Sequence, residues 1–416
     1  MCIRDRLQED SDADGVGDSC DFRAAAWDTV STGGTSLTVG TSGNFGDRGY
    51  GGVNLDYARF GDCDGWNAAV YIYDGSPVVC RIDGSDTSAY WSMYGKTSFL
   101  LVDDRNPPVP TVTTSVYQVY ESGTFVTDDN ALALEKTWWA PVQPDSTDFI
   151  IQQLRVYSYD GSSHNGLAVG ELIDWDIPTD EPQSANSGGY SAAHNLIYVQ
   201  GIESDGMGCQ ANDNRFGGQA LLGVYTNDSC LIDTTGPHAA YTASNPVYVY
   251  PNQGFVASEL YELMTDPGYA VTGDLVDIHS AVTFVADYDL GSDDTLSVFS
   301  VITSVENGNI DSLYENVSKA RRWYRHHLIR PCSGPGCCLP PIRGNVDYKI
   351  GPAGEVDLAD LTYLVAYLFE GGEEPPCIEE ADANGLMGPA GPVDMADLAY
   401  LVSYLFSGGA EPVLCP

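Results

Sequence analysis

Short runs of β-branched and aromatic residues alternate with turns rich in Gly, Asp, Asn and Ser from residue 24 to about residue 309. Runs of this kind, with no helical period between them, are typical of β-strands. Representative runs are Ala69 to Tyr73, Ser115 to Tyr120, Phe149 to Tyr159, Val247 to Tyr250, Ala281 to Tyr288 and Leu296 to Val305. The last two flank a turn sequence, Gly291 to Asp294, and are predicted to form a hairpin. The pattern predicts a mainly β chain whose central region, 24–309, is β-sandwich-like or jelly-roll-like and forms one or two domains.

The pattern acquires a helical period after residue 309. Between Ile310 and Leu328, apolar residues recur at helical spacing while basic residues occupy the other faces. We therefore predict one amphipathic helix over 310–330, with a packing and charge-compensating role. Residues 331–343 are rich in Pro, Gly and Cys and are predicted to be a stiff linker.

Residues 344–409 contain two copies of one pattern with a period of 37 residues. The segment from Val356 to Leu361 reappears as Val393 to Leu398, and each copy ends at a pair of glycines, a common signal for a helix C-terminus. Each copy is predicted to be an acidic loop followed by one amphipathic helix. Because so short a helix cannot bury its apolar stripe alone, the two copies are expected to pack together as a small all-α domain.

The chain is strongly acidic. Its 416 residues include 59 Asp plus Glu against 18 Lys plus Arg, which gives a formal net charge of −41. A phosphate backbone would be repelled, which argues against nucleic acid as a partner. Self-repulsion of this size favours bound cations, and Ca²⁺ is the expected cofactor. No apolar run reaches membrane-spanning length, so no transmembrane segment is predicted.

The cysteines and the first residues point to an exported protein. Eleven cysteines are present, and the spacing of two pairs favours disulfides rather than zinc. The predicted pairs are Cys63 with Cys80 and Cys209 with Cys230, and a bond between two of Cys338, Cys377 and Cys415 would clasp the repeat. Residues 1–6 are predicted to be a non-native start left by truncation, which would also have removed an export signal. We expect a secreted or surface-attached protein.

An acidic loop near the N-terminus has the spacing of an EF-hand-type calcium loop. Carboxylates at loop positions 1, 3, 5, 9 and 12, a glycine at 6 and a carbonyl at 7 can wrap Ca²⁺. The candidate ligands are Asp10, Asp12, Asp14, Val16 through its carbonyl, Asp18 and Asp21. A merely solvated acidic loop is the alternative. The segment 7–23 resembles a thrombospondin type 3 repeat, and the resemblance implies a rigid calcium-stabilised spacer.

The duplicated loop-and-helix pattern over 344–409 resembles a type I dockerin. The resemblance implies calcium-dependent folding and docking onto a cohesin module of a scaffold or surface protein. The implied ligands are Asn345, Asp347, Asp357 and Asp360 in loop one, and Asp382, Asn384, Asp394 and Asp397 in loop two. Both loops are longer than those of the family, and Lys349 and Leu386 replace the fifth-position carboxylate. Loop one is therefore expected to bind calcium more weakly, and a helix pair that folds without metal is the alternative.

The same resemblance implies cohesin contacts at the two helix starts. The implied partner-binding residues are Leu358, Ala359, Met395 and Ala396. Their near identity in the two copies is similar to the two-fold binding mode of dockerins. The alternative is that these residues pack in the core of the helix pair.

Two carboxylates in the β region could carry chemistry. Asp174 and Asp176 lie two residues apart, so on a strand they share a face with Cα atoms about 6.5–7 Å apart. Paired carboxylates of this kind can act on a glycosidic bond, although an ordinary turn or a cation site fits the same residues. Four tryptophans are candidates for a sugar-stacking surface, with burial as the alternative. They are Trp66, Trp91, Trp138 and Trp139.

These features indicate a secreted, calcium-binding bacterial protein that attaches a β-sandwich module to a cohesin-bearing scaffold or cell surface. Two alternatives remain open. One is a dockerin-bearing polysaccharide-degrading enzyme of the glycoside hydrolase class, and the other is a carbohydrate-binding or adhesive surface protein.

Overall fold

The computed structural model describes most of the chain between residues 27 and 412. The described residues are 27–32, 34–46, 71–83, 86–93, 96–102, 110–143, 146–177, 186–202, 214–227, 230–233, 236–252, 254–305, 308–328, 343–347, 356–372, 375, 377–386 and 393–412. The expectations for residues 1–6, the calcium loop 7–23, Cys63, Trp66, Cys209 and Lys349 lie outside them. The chain divides into two compact units, Met1–Asp228 with Thr235–Ala320, and Ser229–Thr234 with Arg321–Pro416.

The structure confirms a mainly β chain with several sheets and a few helices. The first strands are β1 (Trp27–Ser31), β2 (Ser36–Gly40), β3 (Ile72–Asp83), β4 (Asp86–Trp91), β5 (Phe99–Leu101), β6 (Pro110–Thr113), β7 (Tyr117–Glu121), β8 (Phe125–Thr127), β9 (Leu132–Pro141) and β10 (Phe149–Ser158). The remaining strands are β11 (His164–Trp175), β12 (Ser187–Ser191), β13 (Leu196–Ile202), β14 (Asn214–Thr226), β15 (Cys230–Asp233), β16 (Ala239–Ser244), β17 (Gly268–Ala270), β18 (Ile278–Leu290) and β19 (Thr295–Val305). The α-helices are α1 (Asn245–Tyr248), α2 (Ala257–Thr265), α3 (Ile310–His327), α4 (Leu358–Glu370), α5 (Ile378–Ala381) and α6 (Met395–Ser407).

The first unit is built on two large sheets. One runs β12-β13-β14-β19-β10-β9-β7-β6, with β8 pairing the other end of β9 and β5 pairing β8. The smaller sheet runs β17-β16-β18-β11-β3-β4 and is antiparallel except for the pairing of β16 with β17. The strands β1 and β2 form a separate antiparallel pair. Most pairings are antiparallel, which leaves one face of each sheet free to pack on a core.

Buried side chains from both sheets form shared hydrophobic clusters, so the sheets pack face to face. One cluster contains Leu154 of the large sheet and Val169 of the smaller one, and a second contains Trp138 and Trp175. The opposite face of the smaller sheet is covered by α2, whose Leu260 contributes to a third cluster. Alternate residues of β11 therefore point either between the sheets or toward α2.

The predicted hairpin around Gly291 to Asp294 is wrong. The strands on either side lie in different sheets, since β18 pairs β11 and β16 whereas β19 pairs β10 and β14. Each strand has both edges occupied within its own sheet, so the turn carries the chain from one sheet to the other. Sequence alone could not distinguish this turn from a hairpin because both need the same turn residues.

The predicted strand from Val247 to Tyr250 is also wrong. The segment Asn245–Tyr248 is a short helix, and Tyr250–Asn252 is a 3₁₀ turn. Pro246 stands at the first turn of the helix, where its missing N–H costs no hydrogen bond and its fixed φ suits the helix. The β propensity of valine and tyrosine is overridden there by the proline and by packing.

Two cysteine expectations can be compared with the structure. Cys80 is a free, buried thiol, and burial raises its pKa, so the predicted bond between Cys63 and Cys80 is not formed. Its side chain packs in the cluster under α2, where a small apolar residue is required. Cys377, one of the three cysteines expected to clasp the repeat, is disulfide-bonded.

The second unit contains the repeat helices α4 and α6 at equivalent positions in the two copies. Each begins after an aspartate whose side chain caps it and ends at a glycine in the left-handed conformation, Gly371 (φ 68°) or Gly408 (φ 65°). Leu364 and Leu401, also equivalent in the repeat, are fully buried in one cluster. Helix α3 spans the segment for which the sequence predicts an amphipathic helix. None of the helices in the described parts of the chain is both long and apolar enough to cross a membrane.

Candidate functional site

The end of β11 brings Asp174 and Asp176 to the face of the smaller sheet that α2 partly covers. Ile173, Trp175 and Ile177 alternate with them and are buried between the two sheets. Trp175 is fixed there by an indole N–H that donates to Ser280 Oγ at 2.8 Å. Asp174 therefore lies on the opposite face of the strand, and Asp176, the residue after the strand, follows the same alternation.

Asn245, the first residue of α1, bridges two carboxylates by hydrogen bonds. Its Nδ2 donates to Asp174 Oδ1 at 2.6 Å and to Asp277 Oδ1 at 2.7 Å. Its Oδ1 lies 2.7 Å from His279 Nδ1. Because the amide nitrogen faces two carboxylates, the amide oxygen must face the imidazole, which assigns the proton to Nδ1 of His279. Burial lowers the pKa of His279 to about 3, so the ring is neutral and cannot offset the nearby carboxylates.

Asp277 also accepts a hydrogen bond from the hydroxyl of Tyr250. Burial, this hydrogen bond and the negative charges of Asp277, Asp174 and Asp176 raise the pKa of Tyr250. The tyrosine is 53% exposed, so its ring stands at the protein surface while its hydroxyl reaches the carboxylates. In the strand register, Asp74 of β3 lies opposite Asp174 and is buried as well.

Asp176 has the electrostatic property expected of a proton donor. Burial, assisted by the negative charge of Asp277, raises its pKa to about 6. A carboxyl group of this kind exchanges a proton close to neutral pH, while a neighbouring ionised carboxylate can stabilise positive charge or act as a nucleophile. The arrangement is therefore compatible with acid–base chemistry on a glycosidic bond. Among the described residues, no three His, Cys, Asp or Glu side chains form a group suited to a metal ion.

Sequence reasoning found the two aspartates and missed three of their partners. Asn245, Asp277 and Tyr250 are distant in sequence from the two aspartates, and the sequence pattern predicts a strand at Val247 to Tyr250 where the structure has helical turns. The dipeptide Asn245–Pro246 is a turn-initiating signal that could have indicated it. The proposed tryptophan surface is not present in the described residues, because Trp91 and Trp138 are buried in the core and Trp139 is half-buried.

The two repeat loops of the second unit are closed by equivalent aspartates. Asp360 accepts hydrogen bonds from the backbone N–H of Asp347 at 3.0 Å and of Asp357 at 2.7 Å. Asp397 accepts the corresponding bonds from Asn384 at 3.2 Å and Asp394 at 2.9 Å. These bonds join the acidic side chain in the first turn of each repeat helix to the backbone of its loop, but no three acidic side chains of the described repeat residues form a group suited to a metal ion.

The two loops differ at their first predicted ligand. Asn345 is 2% exposed, and its Oδ1 has no hydrogen-bond partner in the structure. The equivalent residue of loop two, Asp382, forms an ion pair with Arg343 at 3.3 Å and accepts a bond from the Leu386 N–H at 3.0 Å. An orphaned, buried amide oxygen is the kind of ligand that Ca²⁺ takes, so loop one fits the predicted ion at this position.

The predicted partner-binding residues lie at the surface of the second unit. Leu358 is 60% exposed and Met395 is 59% exposed, and Ala359 and Ala396 beside them are exposed too. Their burial in the core of the helix pair, the alternative considered above, does not occur. Phe369 and Phe406, a second equivalent pair near the helix ends, are exposed as well, at 59% and 64%.

Comparison with known proteins gives no close relative. No family model matches the chain, and no curated protein matches it. Among solved structures, similarity is found to a putative kojibiose phosphorylase from human microbiome, with 9% identity, a TM-score of 0.31, and coverage of 71% of this chain and 32% of that one. A GH36 α-galactosidase, AgaA from Geobacillus stearothermophilus, has 10% identity, a TM-score of 0.35, and coverage of 73% and 43%. A polysaccharide lyase, BACCELL_00875, has 9% identity, a TM-score of 0.28, and coverage of 70% and 34%. The chain spans less than half of each, and TM-scores at this level support no statement about fold or function.

Proposed function

We propose that the chain is a secreted assembly component in which a β-sandwich body is attached to a partner by the C-terminal helix pair. The observation that carries the proposal is the exposure of Leu358 and Met395 at equivalent helix starts, each followed by a small exposed alanine. Two equivalent apolar contact points, each next to an acidic loop, suit docking onto a cohesin-type module of a scaffold or surface protein. The N-terminal loop 7–23 would then be a calcium-stabilised spacer.

Calcium is the ion that best explains the repeat loops. Burial, together with the charges of Asp347 and Asp357, raises the pKa of Asp360 to about 6, and the pKa of Asp397 is raised as well, first by burial. Carboxylates crowded in this way repel one another, and a bound divalent cation would relieve the repulsion. The proposed ligands are Asn345, Asp347, Asp357 and Asp360 in loop one, and Asp382, Asn384, Asp394 and Asp397 in loop two. Because Asp382 is already paired with Arg343, loop two has no clear advantage over loop one in this structure.

Docking is tested by recovery of the full chain on a panel of immobilised cohesin modules, with Ca²⁺ and with EDTA. We expect recovery in calcium only, and its loss in the double variant Leu358→Asp, Met395→Asp. Phe369→Asp is the matched control, since Phe369 is equally exposed but lies about 16 Å further along α4. Equal recovery with and without EDTA, or equal loss with the control, would contradict the proposal.

A second candidate function is the cleavage or binding of polysaccharide by the first unit. The observation that favours it is the carboxyl group of Asp176, whose pKa near 6 sets it apart from an ordinary surface aspartate. Asp174 lies on the same sheet face, and the exposed ring of Tyr250 could stack on a sugar. In this role Asp176 would be the proton donor, with a neighbouring ionised aspartate as its counterpart.

The second candidate is tested by screening polysaccharides for release of reducing sugar. The wild type is compared with Asp174→Asn and Asp176→Asn, and with Asp293→Asn in an exposed turn as the control. Activity lost in the first two variants and kept in the third would support the enzyme. Binding of glycans without hydrolysis would indicate a carbohydrate-binding module, and neither activity nor binding would exclude both.

A further inference from the structure

A lysine and a glutamate meet in the core between the two sheets of the first unit. Lys136 lies on β9 of the larger sheet and Glu171 on β11 of the smaller one, and Nζ of the lysine contacts Oε1 of the glutamate. Their side chains are 0% and 1% exposed. By comparison, the ion pairs of Arg81 with Asp129 and of Arg155 with Glu135 each have at least one side chain that is more than a tenth exposed.

The surroundings of this pair are apolar on one side and rich in donors on the other. The Lys136 Nζ lies 4.0 Å from the centre of the Phe45 ring and 5.5 Å from that of Trp138. The second oxygen of the glutamate, Oε2, accepts hydrogen bonds from two buried amides, Gln152 Nε2 at 2.5 Å and Gln219 Nε2. The amine therefore contacts Oε1 of the glutamate, while the side-chain amides of Gln152 and Gln219 donate hydrogen bonds to Oε2.

A buried charge pair of this kind is costly to maintain. Removing two ions from water is unfavourable, and their mutual attraction in the core offsets this cost only in part. Burial lowers the pKa of Lys136, which favours the neutral amine. Transfer of a proton from Nζ to Oε1 would remove both charges and leave a nucleophilic amine in contact with a carboxylic acid, the arrangement from which intramolecular reactions gain most.

We propose that Lys136 and Glu171 condense to an intramolecular amide bond that links the two sheets covalently. After the proton transfer, Nζ attacks Cδ of Glu171, and the negative charge that develops on Oε2 is stabilised by the N–H groups of Gln152 and Gln219. Nζ loses its second proton to Oε1, which leaves as water when the C–O bond breaks. One ammonium and one carboxylate are thus converted into one neutral amide and one water, and no oxidant or co-reactant is needed.

The bond would link the two large sheets of the first unit covalently in the core between them. Lys136 is on a strand next to β10 in the centre of the larger sheet, and Glu171 is in the strand flanked by β3 and β18 in the smaller sheet. Separating the sheets would then require breaking a covalent bond. Because water is excluded from both side chains, the reverse hydrolysis would be suppressed as long as the sheets stay packed.

The test is mass spectrometry of the purified, folded full chain after reduction and denaturation. We expect a mass that is lower than the sequence mass by one water. A tryptic digest should contain a branched peptide that joins residues 106–155 to residues 156–215, because trypsin does not cleave after an acylated Lys136. This peptide assigns the lost water to the proposed pair without reliance on any variant.

Two variants serve as comparison. Lys136→Met removes the amine and should restore the full mass, whereas Lys319→Met, in a surface ion pair with Glu315, should keep the deficit. A folded wild-type chain with its full mass and no branched peptide would overturn the proposal. A loss of ammonia instead of water would also overturn it, since the lysine would then be joined to Gln152 or Gln219. If Lys136→Met fails to fold, the digest of the wild type decides alone.

Discussion

Asp176 shows how position along a strand sets the chemistry of a single side chain. It follows the last residue of β11, so it shares a face with Asp174 while Trp175 between them is buried in the core. Burial and the nearby Asp277 then make its ionised form unfavourable. The strand period predicts the face, but the raised pKa depends on Asp277, about a hundred residues away in sequence, which no local pattern connects to it.

The raised pKa of Asp176 predicts a pH dependence of stability. The pKa is about 6 in the folded chain against 3.8 for an unperturbed aspartate, so the folded chain binds a proton between these values that the unfolded chain does not. The stabilisation that Asp176 gives to the folded chain is therefore fully present below about pH 4. It decreases as the pH rises to about 6 and is lost above that pH. Asp176→Asn should remove this dependence and raise the free energy of unfolding at pH 7.5 by up to about 3 kcal/mol.

Urea denaturation of the full chain at pH 4.5 and pH 7.5, followed by tryptophan fluorescence, measures this effect because six of the seven tryptophans lie in the first unit. Asp293→Asn in the exposed turn removes a charge without removing a buried one and serves as the control. The interpretation of Asp176 would be wrong if the two variants changed the pH dependence equally.

At the scale of elements, each repeat helix has a capping box at its N-terminus, in which two aspartate side chains accept backbone hydrogen bonds. Asp394 accepts a bond from the Ala396 N–H at 2.6 Å, and Asp397 accepts one from the Asp394 N–H at 2.9 Å. Asp357 and Asp360 make the same pair of bonds at the start of α4. Each cap satisfies helix N–H groups that have no partner within the helix.

These caps predict a difference between serine and alanine at the helix starts. Neither residue supplies a carboxylate to calcium, but serine can still cap, so Asp394→Ser should be more stable than Asp394→Ala by about 1 kcal/mol. The same difference is expected at Asp357. At Thr362, exposed within α4, serine should give no advantage over alanine. Denaturation in saturating calcium, followed by far-UV circular dichroism, measures each pair, and equal serine–alanine differences at all three positions would contradict the capping role.

The elements that sequence predicts well are those whose signals are local. The helical period, the capping aspartates and the terminal glycines lie within each repeat copy, and α4 and α6 follow them. The hairpin around Gly291 failed because the pairing of β18 and β19 is decided by distant strands that fill their edges. Likewise, Lys136 and Glu171 carry no motif, since their meeting requires two sheets to pack.

At the scale of the whole molecule, the net charge of −41 acts differently on the two units. The first unit has extensive shared apolar clusters that do not depend on an ion. The apolar cluster of the second unit is far smaller, and acidic loops adjoin both of its repeat helices. A unit with a small core is marginally stable by itself, so a metal that binds only its folded form should contribute a large share of its stability.

Removal of calcium by a chelator should therefore lower the stability of the C-terminal repeat and leave the stability of the first unit unchanged. A free calcium concentration a hundred times the dissociation constant stabilises the folded form by about 2.7 kcal/mol, which EDTA would remove. All seven tryptophans precede residue 324, outside the repeat over 344–409, so tryptophan fluorescence follows the rest of the chain while the helical signal in circular dichroism includes the repeat. We expect EDTA to lower the melting temperature of the helical transition only.

The double variant Asp360→Asn, Asp397→Asn keeps side-chain size while it removes one negative charge from each proposed site, so in calcium it should melt at a lower temperature than the wild type does. A third measurement on the wild type with Mg²⁺ in place of Ca²⁺ separates calcium binding from simple screening of charge, because screening would act with either ion. Helical melting curves of the wild type that coincide with and without EDTA would show that the repeat folds as a metal-free helix pair. In that case the exposed apolar residues at its helix starts could still bind a partner, but calcium would have no part in presenting them.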